Sequence, residues 1–214
     1  HPVGTSMGMG VHESQSLFFE MQLGRSKPFI EAIAPLVRKH FGDDPAFESG
    51  NLHRLYTQVE PGLIRVNADE VTYPLHVILR YELERDLILG GVEAKDIPAR
   101  WDTAMKDFLD LDTAGNYRDG PMQDIHWPSG SIGYFPSYTL GAMTAAQLHN
   151  AMVQAIPDAP AMISRLELQP VFDWLSERIW QKGRLLDYDE LMTEATGEKL
   201  NPDHFLNHLR SRYL

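Results

Sequence analysis

Apolar residues recur at helical spacing along most of the chain, which predicts an almost entirely helical protein. In residues 12–24, for example, Leu17, Phe18 and Met21 fall on one side of a helix. Further helices are predicted over "FIEAIAPLVRKHF", within "PAFESGNLHRLYTQVEPG", over "EVTYPLHVILRYELERDLILGG", over "PARWDTAMKDFLDL" and through the C-terminal third. The pattern favours an all-α fold of about seven or eight helices.

Proline, glycine and short polar residues mark the ends of these helices. Pro28 can occupy the first turn of the second helix, Gly42 should end it and Pro35 should kink it. Asn67 or Asp69 can cap the long fourth helix. The later end signals are Gly90-Gly91, Pro98, the capping-box pair Asp187 and Glu190, and the pair Asn201-Pro202.

Only "GLIRV" has strand character, so at most one short β element is expected, around residues 62–67. The sequence contains no internal repeat, low-complexity segment or flexible linker. Residues 1–214 are therefore expected to form part of a single domain.

Composition narrows the class of protein. Hydrophobic residues make up 43% of the chain and charged residues 23%, as in ordinary globular proteins. The net charge of −11 disfavours nucleic acid and anionic membranes as partners. The chain has no cysteine, which excludes disulfides and thiolate ligands and favours a reducing, cytoplasmic location. No apolar run approaches the roughly 20 residues of a membrane helix.

The N-terminus also affects the interpretation. "HPVGTSMGMG" starts at His1 without an initiator methionine, and it has neither the basic start nor the apolar stretch of a signal peptide. We therefore expect the chain to be part of a longer protein.

Residues 112–136 have the densest turn signals, yet they are rich in aromatic and hydrogen-bonding side chains. Long ordered loops of this composition are often functional. Within "GPMQDIHWPSGSIGYFPSY", Asp124 and His126 can form a pair in which the carboxylate fixes the imidazole tautomer. A tyrosine hydroxyl nearby can donate to a developing oxyanion. On the residues alone, a loop packed by Trp127 and Phe135 is an equally good reading.

"GVHESQSLFFE" places His12 and Glu13 side by side at a helix start. Glu13 could be one ligand of a zinc ion, since zinc sites accept carboxylate oxygens beside imidazole nitrogens. A glutamate favoured by the helix dipole is the simpler interpretation of this pair alone.

Arg65 lies between Ile64 and Val66 and needs an anionic partner if it is buried. Asp69 is the nearest candidate. A bound carboxylate is the alternative, because the planar guanidinium can hold one through two hydrogen bonds.

"HFLNH" places His204 and His208 at the i, i+4 spacing of a helical zinc site. However, Phe205 stands where the catalytic glutamate should follow the first histidine. We interpret them as surface histidines able to bind adventitious metal.

Taken together, these motifs resemble the Taq carboxypeptidase family of zinc metallopeptidases (M32). The matching segments are "HESQS" at 12–16, "IRVNAD" at 64–69, "GPMQDIHW" at 120–127 and "GYFPSYTLGAM" at 133–143. The resemblance extends to the C-terminal "TGEKLNPDHFLNHLRSRYL". It implies the C-terminal portion of a zincin-like, all-α carboxypeptidase.

The resemblance also implies roles for individual residues. Glu13 corresponds to the third protein ligand of the metal, and an HExxH helix roughly two dozen residues upstream supplies the other ligands and the general base. Arg65 corresponds to the residue that holds the C-terminal carboxylate of the peptide. The other implied site residues are Gln123 and His126 along the substrate groove, Asp124 in support of His126, His12 on the substrate side, and Tyr134 or Tyr138 as a donor to the tetrahedral intermediate.

No HExxH occurs in these 214 residues. We therefore expect the chain alone to hold no zinc at Glu13 and to be inactive, whereas the parent enzyme is expected to be a homodimer that acts on peptides with a free C-terminus. The alternative is a self-standing helical interaction module without catalytic activity.

Overall fold

The computed structural model describes residues 1–214, and all of its regular elements are helical. A π-helical segment, Phe18–Gly24, continues the first α-helix. The ten α-helices are α1 (Met9–Leu17), α2 (Lys27–Phe41), α3 (Ser49–Tyr56), α4 (Tyr73–Ile88), α5 (Ile97–Leu109), α6 (Pro136–Ala155), α7 (Ala159–Ser164), α8 (Gln169–Arg178), α9 (Tyr188–Thr196) and α10 (Asp203–Tyr213). The all-α prediction is confirmed, although there are more helices than the seven or eight expected.

The "GLIRV" stretch forms no strand. Arg65–Asn67 is instead a 3₁₀ turn, in which the amide of Ala68 donates to the carbonyl of Arg65 at 3.0 Å. The amide of Arg65 donates to the side chain of Gln123 at 2.8 Å, so it has no need of a neighbouring strand. The β-branched residues therefore misled the sequence interpretation, because their preference for strands depends on context.

Most helix ends lie where local signals placed them. Asp187 and Glu190 form the predicted capping box at α9, with both hydrogen bonds at 2.9 Å. Helix α2 ends at Gly42, as predicted. Asp69 does not cap α4 itself, since Thr72 is the N-cap residue, but its carboxylate accepts from the amides of Val71 and Thr72 at 2.9 Å in the preceding turn.

The chain divides into two compact units: residues 1–57 with 140–214, and residues 58–139. The first unit has a large apolar core built on Phe18, Leu148, Met152 and Leu175, all fully buried. It also has a smaller cluster around Ile30. The assignment of residues 1–214 to one domain stays a prediction.

In the second unit, α4 packs against α5. Its apolar core consists of Leu79, Leu83, Trp101, Met105 and Leu109. The loop that follows α5 closes over this core, because Trp127 packs against the same cluster. None of the helices in the structure is both long enough and apolar enough to span a membrane.

Candidate functional site

A buried ion-pair cluster in the second unit joins Arg65, Asp124 and Arg80. One oxygen of Asp124, Oδ1, accepts from Nε and Nη2 of Arg65 at 3.0 and 2.7 Å. The other oxygen, Oδ2, accepts from Nε of Arg80 at 2.7 Å. Arg65 is only 5% exposed in its side chain, Arg80 1% and Asp124 10%. Asp124 therefore connects the 3₁₀ turn, helix α4 and the loop.

The pKa values in this cluster reflect competition between burial and charge. Burial lowers the pKa of Arg80 to about 10, and the charge of Arg65 adds to this effect, so Arg80 remains a cation at neutral pH. Burial alone would raise the pKa of Asp124. The hydrogen bond from Arg65 and the charges of Arg80 and Arg65 outweigh burial and lower it. Asp124 is therefore a carboxylate at neutral pH.

Arg65 has a different partner from the one proposed from its sequence neighbours. Asp69 does not pair with Arg65, because its carboxylate serves the turn before α4 and the amide of Glu60, at 3.0 Å. In addition to Asp124, Arg65 donates through Nη1 to the hydroxyl of Tyr73. Its guanidinium carbon also lies 4.9 Å from the ring centroid of Tyr138, where cation–π attraction stabilises the charge.

Helix α4 presents a row of buried polar side chains, His76, Arg80 and Glu84, one helical turn apart. The carboxylate of Glu84 accepts from the indole Nε1 of Trp127 at 2.8 Å and from the amide of Gly133 at 3.0 Å. Thus α4 holds the loop at two points through Glu84 and at a third through Arg80.

His126 lies in this loop among aromatic rings. Its Nε2 is 3.0 Å from the hydroxyl of Tyr138, and its ring centroid lies 4.3 Å from that of Phe135. Tyr134 is also adjacent, with a centroid separation of 5.4 Å. Burial lowers the pKa of His126, and the charge of Arg65 lowers it further, which favours the neutral imidazole.

The expected hydrogen bond between Asp124 and His126 is absent. Nδ1 of His126 is 3.8 Å from Oδ1 of Asp124, beyond hydrogen-bonding range, and it has no other hydrogen-bond partner in the structure. Asp124 instead uses its oxygens for Arg65 and Arg80. The prediction failed because sequence proximity suggested a pair, whereas two guanidiniums from distant segments compete for the same carboxylate.

Gln123 connects the loop to the "GLIRV" segment. Its Oε1 accepts from the amide of Arg65, and its Nε2 donates to the carbonyls of Leu63 and Asp119 at 3.0 and 2.7 Å. With these bonds made, the amide has a clear structural task. Its expected role in binding substrate stays a prediction.

Glu13 and His12 lie on α1 in the first unit. The hydroxyl of Ser16 donates to Oε2 of Glu13 at 3.3 Å, and His12 is exposed to solvent. Gly141 of α6 packs against the backbone of α1 here: a Cβ at position 141 would lie 2.8 Å from Cβ of Glu13, too close for any side chain. The position of Glu13 therefore depends on this glycine.

No group of three or more histidine, aspartate or glutamate side chains in the structure could hold a metal ion. Glu13 has no such set of neighbours, and neither do His204 and His208. Nε2 of His204 is 2.7 Å from Oε1 of Glu198, and the ring of His208 stacks on Phe205. The sequence predicts exposed surface histidines, but both side chains are partly buried in the structure.

Arg80, Glu84, His76 and Tyr73 were not anticipated from the sequence. A signal for three of them existed, since His76, Arg80 and Glu84 recur every four residues among the leucines of α4. Polar residues that share a helical face with core residues indicate a buried network.

The chain is similar throughout its length to one family of peptidases. The profile of the family described as "Carboxypeptidase Taq (M32) metallopeptidase" matches residues 1–213. Thermostable carboxypeptidase 1 of Pyrococcus furiosus is 36% identical over 213 residues, covering 100% of this chain and 42% of that protein. Carboxypeptidase 1 of Bacillus subtilis is 38% identical, covering 96% of this chain and 41% of that protein.

The chain is also similar in three-dimensional structure to solved carboxypeptidases. Metallocarboxypeptidase 1 of Trypanosoma cruzi matches with a TM-score of 0.97 and 49% identity, over 99% of this chain and 44% of that one. The M32 carboxypeptidase of Deinococcus radiodurans R1 matches with a TM-score of 0.93 and 36% identity, over 99% of this chain and 43% of that one. The chain thus spans about two fifths of the length of the proteins that it matches.

Proposed function

Since the chain belongs to the carboxypeptidase Taq (M32) metallopeptidase family, we propose that it is part of a metal-dependent carboxypeptidase that removes C-terminal residues from peptides. The observation that carries this proposal is the convergence of three motifs in one unit. "IRVNAD", "GPMQDIHW" and "GYFPSY" supply Arg65, Asp124, His126 and Tyr138, which contact one another. Chance similarity would not require these side chains to meet.

Arg65 is proposed to attract the C-terminal carboxylate of the substrate. Two guanidiniums, those of Arg65 and Arg80, share the single carboxylate of Asp124. This trio carries an excess of one positive charge in surroundings of low polarity, where charge acts strongly. A peptide carboxylate would balance this charge, and we propose that this favours substrates with a free C-terminus.

Tyr138 is the better of the two tyrosine candidates for donation to the tetrahedral intermediate. Its hydroxyl lies 3.0 Å from Nε2 of His126, so an imidazole in the groove and a phenol donor are already paired. Tyr134 contacts both rings, and we propose that it shapes the groove. His12 and Gln123 are proposed as further substrate-side residues.

Glu13 is proposed as one ligand of a divalent metal, zinc, in the longer enzyme. No group of three or more potential ligands lies together in the structure, so we propose that the other ligands come from residues outside this chain. A cytoplasmic homodimer is our proposal for the whole enzyme, supported for the location by the absence of cysteine.

The decisive experiment compares two peptides in the full-length protein that contains this chain, one with a free C-terminus and one amidated. We expect release of the C-terminal residue from the free peptide only. Arg65→Ala should lower kcat/KM for this peptide by a factor that corresponds to about 2–5 kcal/mol of transition-state stabilisation, because one partner of a desolvated charge pair is lost. Arg85→Ala, an exposed arginine on α4, is the matched control and should have no effect.

The binding of a competitive inhibitor with a free carboxylate should be compared with that of its amide in the same variants. If Arg65→Ala weakens the two inhibitors equally, or weakens neither, Arg65 does not bind the carboxylate. If the wild-type protein cleaves only internal bonds, the proposed exopeptidase activity is wrong.

A further inference from the structure

Helix α4 holds the residues on both sides of His126. Arg80 donates to Asp124, two residues before His126, at 2.7 Å. Glu84 accepts from the indole of Trp127, the next residue, at 2.8 Å, and from the amide of Gly133 further along the loop at 3.0 Å. Residues on both sides of His126 are therefore hydrogen-bonded to α4.

The side chain of His126 has few polar contacts of its own. Its Nε2 lies near the hydroxyl of Tyr138, while its Nδ1 is 3.8 Å from Asp124 and has no hydrogen-bond partner. A histidine whose direction matters usually has its second nitrogen fixed by a carboxylate or carbonyl. In this chain, the orientation of the His126 ring must be set by the backbone on either side of it.

We propose that Arg80 and Glu84 are positioning residues for His126, because they anchor Asp124, Trp127 and Gly133 on either side of it. The inference rests on the proposed function, in which His126 faces the substrate. Arg80 and Glu84 are buried, and their side chains bond the loop through Asp124, Trp127 and Gly133, so we assign them to holding the loop rather than to binding a peptide. Two buried charges on one helix face are a poor way to gain stability alone, since apolar residues of similar volume often do as well.

Loosening either anchor should have two effects. A shift of about 1 Å in a substrate-side group can lower turnover by up to 10²-fold without abolishing binding. A looser loop would also admit water to the imidazole. Because burial is the main cause of the lowered pKa of His126, its pKa should then rise towards the ordinary value of about 6.5.

The test uses variants that keep the charge of the cluster, because Arg65, Asp124, Arg80 and Glu84 all act electrostatically on His126. Trp127→Phe removes the indole donor to Glu84 but retains an aromatic ring beside Trp101 and Phe135. Arg80→Lys keeps the cation but loses the guanidinium geometry.

Matched controls make the same exchanges elsewhere. Trp180→Phe removes an indole hydrogen bond, to Gln15 at 2.9 Å, on a partly exposed side chain in the other unit. Arg85→Lys exchanges an exposed arginine of α4. Neither control should change the titration of His126 or turnover.

Two measurements are made on the full-length protein: the NMR titration of His126, assigned with His126→Gln, and kcat and KM for a peptide with a free C-terminus. We expect Trp127→Phe and Arg80→Lys to raise the pKa of His126 and to lower kcat roughly tenfold to a hundredfold, with a much smaller change in KM. An unchanged pKa and kcat in Trp127→Phe would overturn the proposal, even if Arg80→Lys fails to fold. If the wild-type protein has no peptidase activity, the proposed function fails, but the titration still decides whether the anchors position His126.

Discussion

Asp124 shows how much can depend on one side chain. Its two oxygens bind two guanidiniums from segments 59 and 44 residues away. A buried charge pair adds little net stability when complete, but the loss of one partner leaves the other charge uncompensated. Substitution of Asp124 is therefore expected to destabilise this unit strongly.

We predict that Asp124→Asn destabilises the chain by about 3–5 kcal/mol, because two buried guanidiniums then lack a counter-charge. Urea denaturation at neutral pH measures this loss. Asp119→Asn is the control, since the partly exposed carboxylate of Asp119 has only a long ion pair with Arg118 at 3.9 Å and a long hydrogen bond from Asn116 at 3.3 Å, and it should change stability by less than about 0.5 kcal/mol. Equal stabilities of the two variants would contradict the prediction.

His76 gives the stability a predictable dependence on pH. Burial, helped by the charge of Arg80, lowers its pKa to about 4 in the folded chain, against about 6.5 when unfolded. Between pH 6.5 and pH 4, His76 binds a proton in the unfolded chain but not in the folded chain. The contribution of neutral His76 to the free energy of unfolding is therefore complete above pH 6.5 and is lost as the pH falls to 4. The loss should approach roughly 3 kcal/mol for this residue.

Denaturation curves between pH 7 and 4 measure this dependence. In this pH range, His76→Gln should reduce the slope of the unfolding free energy against pH by the amount that corresponds to the uptake of about one proton on unfolding. His149, whose burial lowers its pKa to about 4, should contribute an independent and similar slope, removed by His149→Gln. A slope that survives both substitutions would show that other groups cause it.

Helices and their ends were predictable because their signals are local. The capping box of Asp187 and Glu190, the glycine after α2 and the spacing of apolar residues lie within a few positions of the structure that they produce. The partner of Arg65 was not predictable, because Asp124 comes from 59 residues away and Asp69 lies closer in sequence. Motif order indicated several of the residues that lie together in the candidate site, whereas their individual contacts depended on packing.

The close packing of α6 on α1 has a testable consequence. Gly141→Ala should push the two helices apart at Glu13 and cost about 1–3 kcal/mol, because the added Cβ would lie 2.8 Å from Cβ of Glu13 and 3.1 Å from its carbonyl carbon. Thermal unfolding measures the effect. Gly10→Ala on α1 is the control: its Cβ would meet only Leu140 at 3.8 Å, and the change should be neutral or slightly stabilising. Equal melting temperatures for the two variants would show that the helices adjust without cost.

At the scale of the whole chain, the most important fact is that the chain matches only part of the length of its relatives. It covers about two fifths of the length of its relatives and contributes Glu13 as one proposed metal ligand. Several large apolar side chains are more than two-thirds exposed, among them Phe41, Leu89, Met122 and Ile125. Exposed apolar groups of this kind favour association.

We predict that the isolated 214-residue chain carries no stoichiometric zinc at Glu13, hydrolyses no peptide and self-associates, because a single carboxylate falls short of the three or so protein ligands of a catalytic zinc. Elemental analysis, a peptidase assay and analytical ultracentrifugation check the three parts. One zinc per chain that disappears in Glu13→Gln, accompanied by hydrolysis, would show that these residues build a complete centre. Metal retained in that variant but lost in His208→Gln would be adventitious.

The burial of the Arg65–Asp124–Arg80 cluster separates two effects of ionic strength. Dissolved ions screen exposed charges beyond about 8 Å at physiological salt, but they hardly reach charges that are nine-tenths buried. The chain as a whole has a net charge of −11, so its surface repels an acidic peptide over a long range. Added salt should therefore speed the approach of acidic peptides while leaving the proposed attraction of the buried cations for a terminal carboxylate almost intact, so that the proposed enzyme should keep its activity at high ionic strength better than its surface charge suggests.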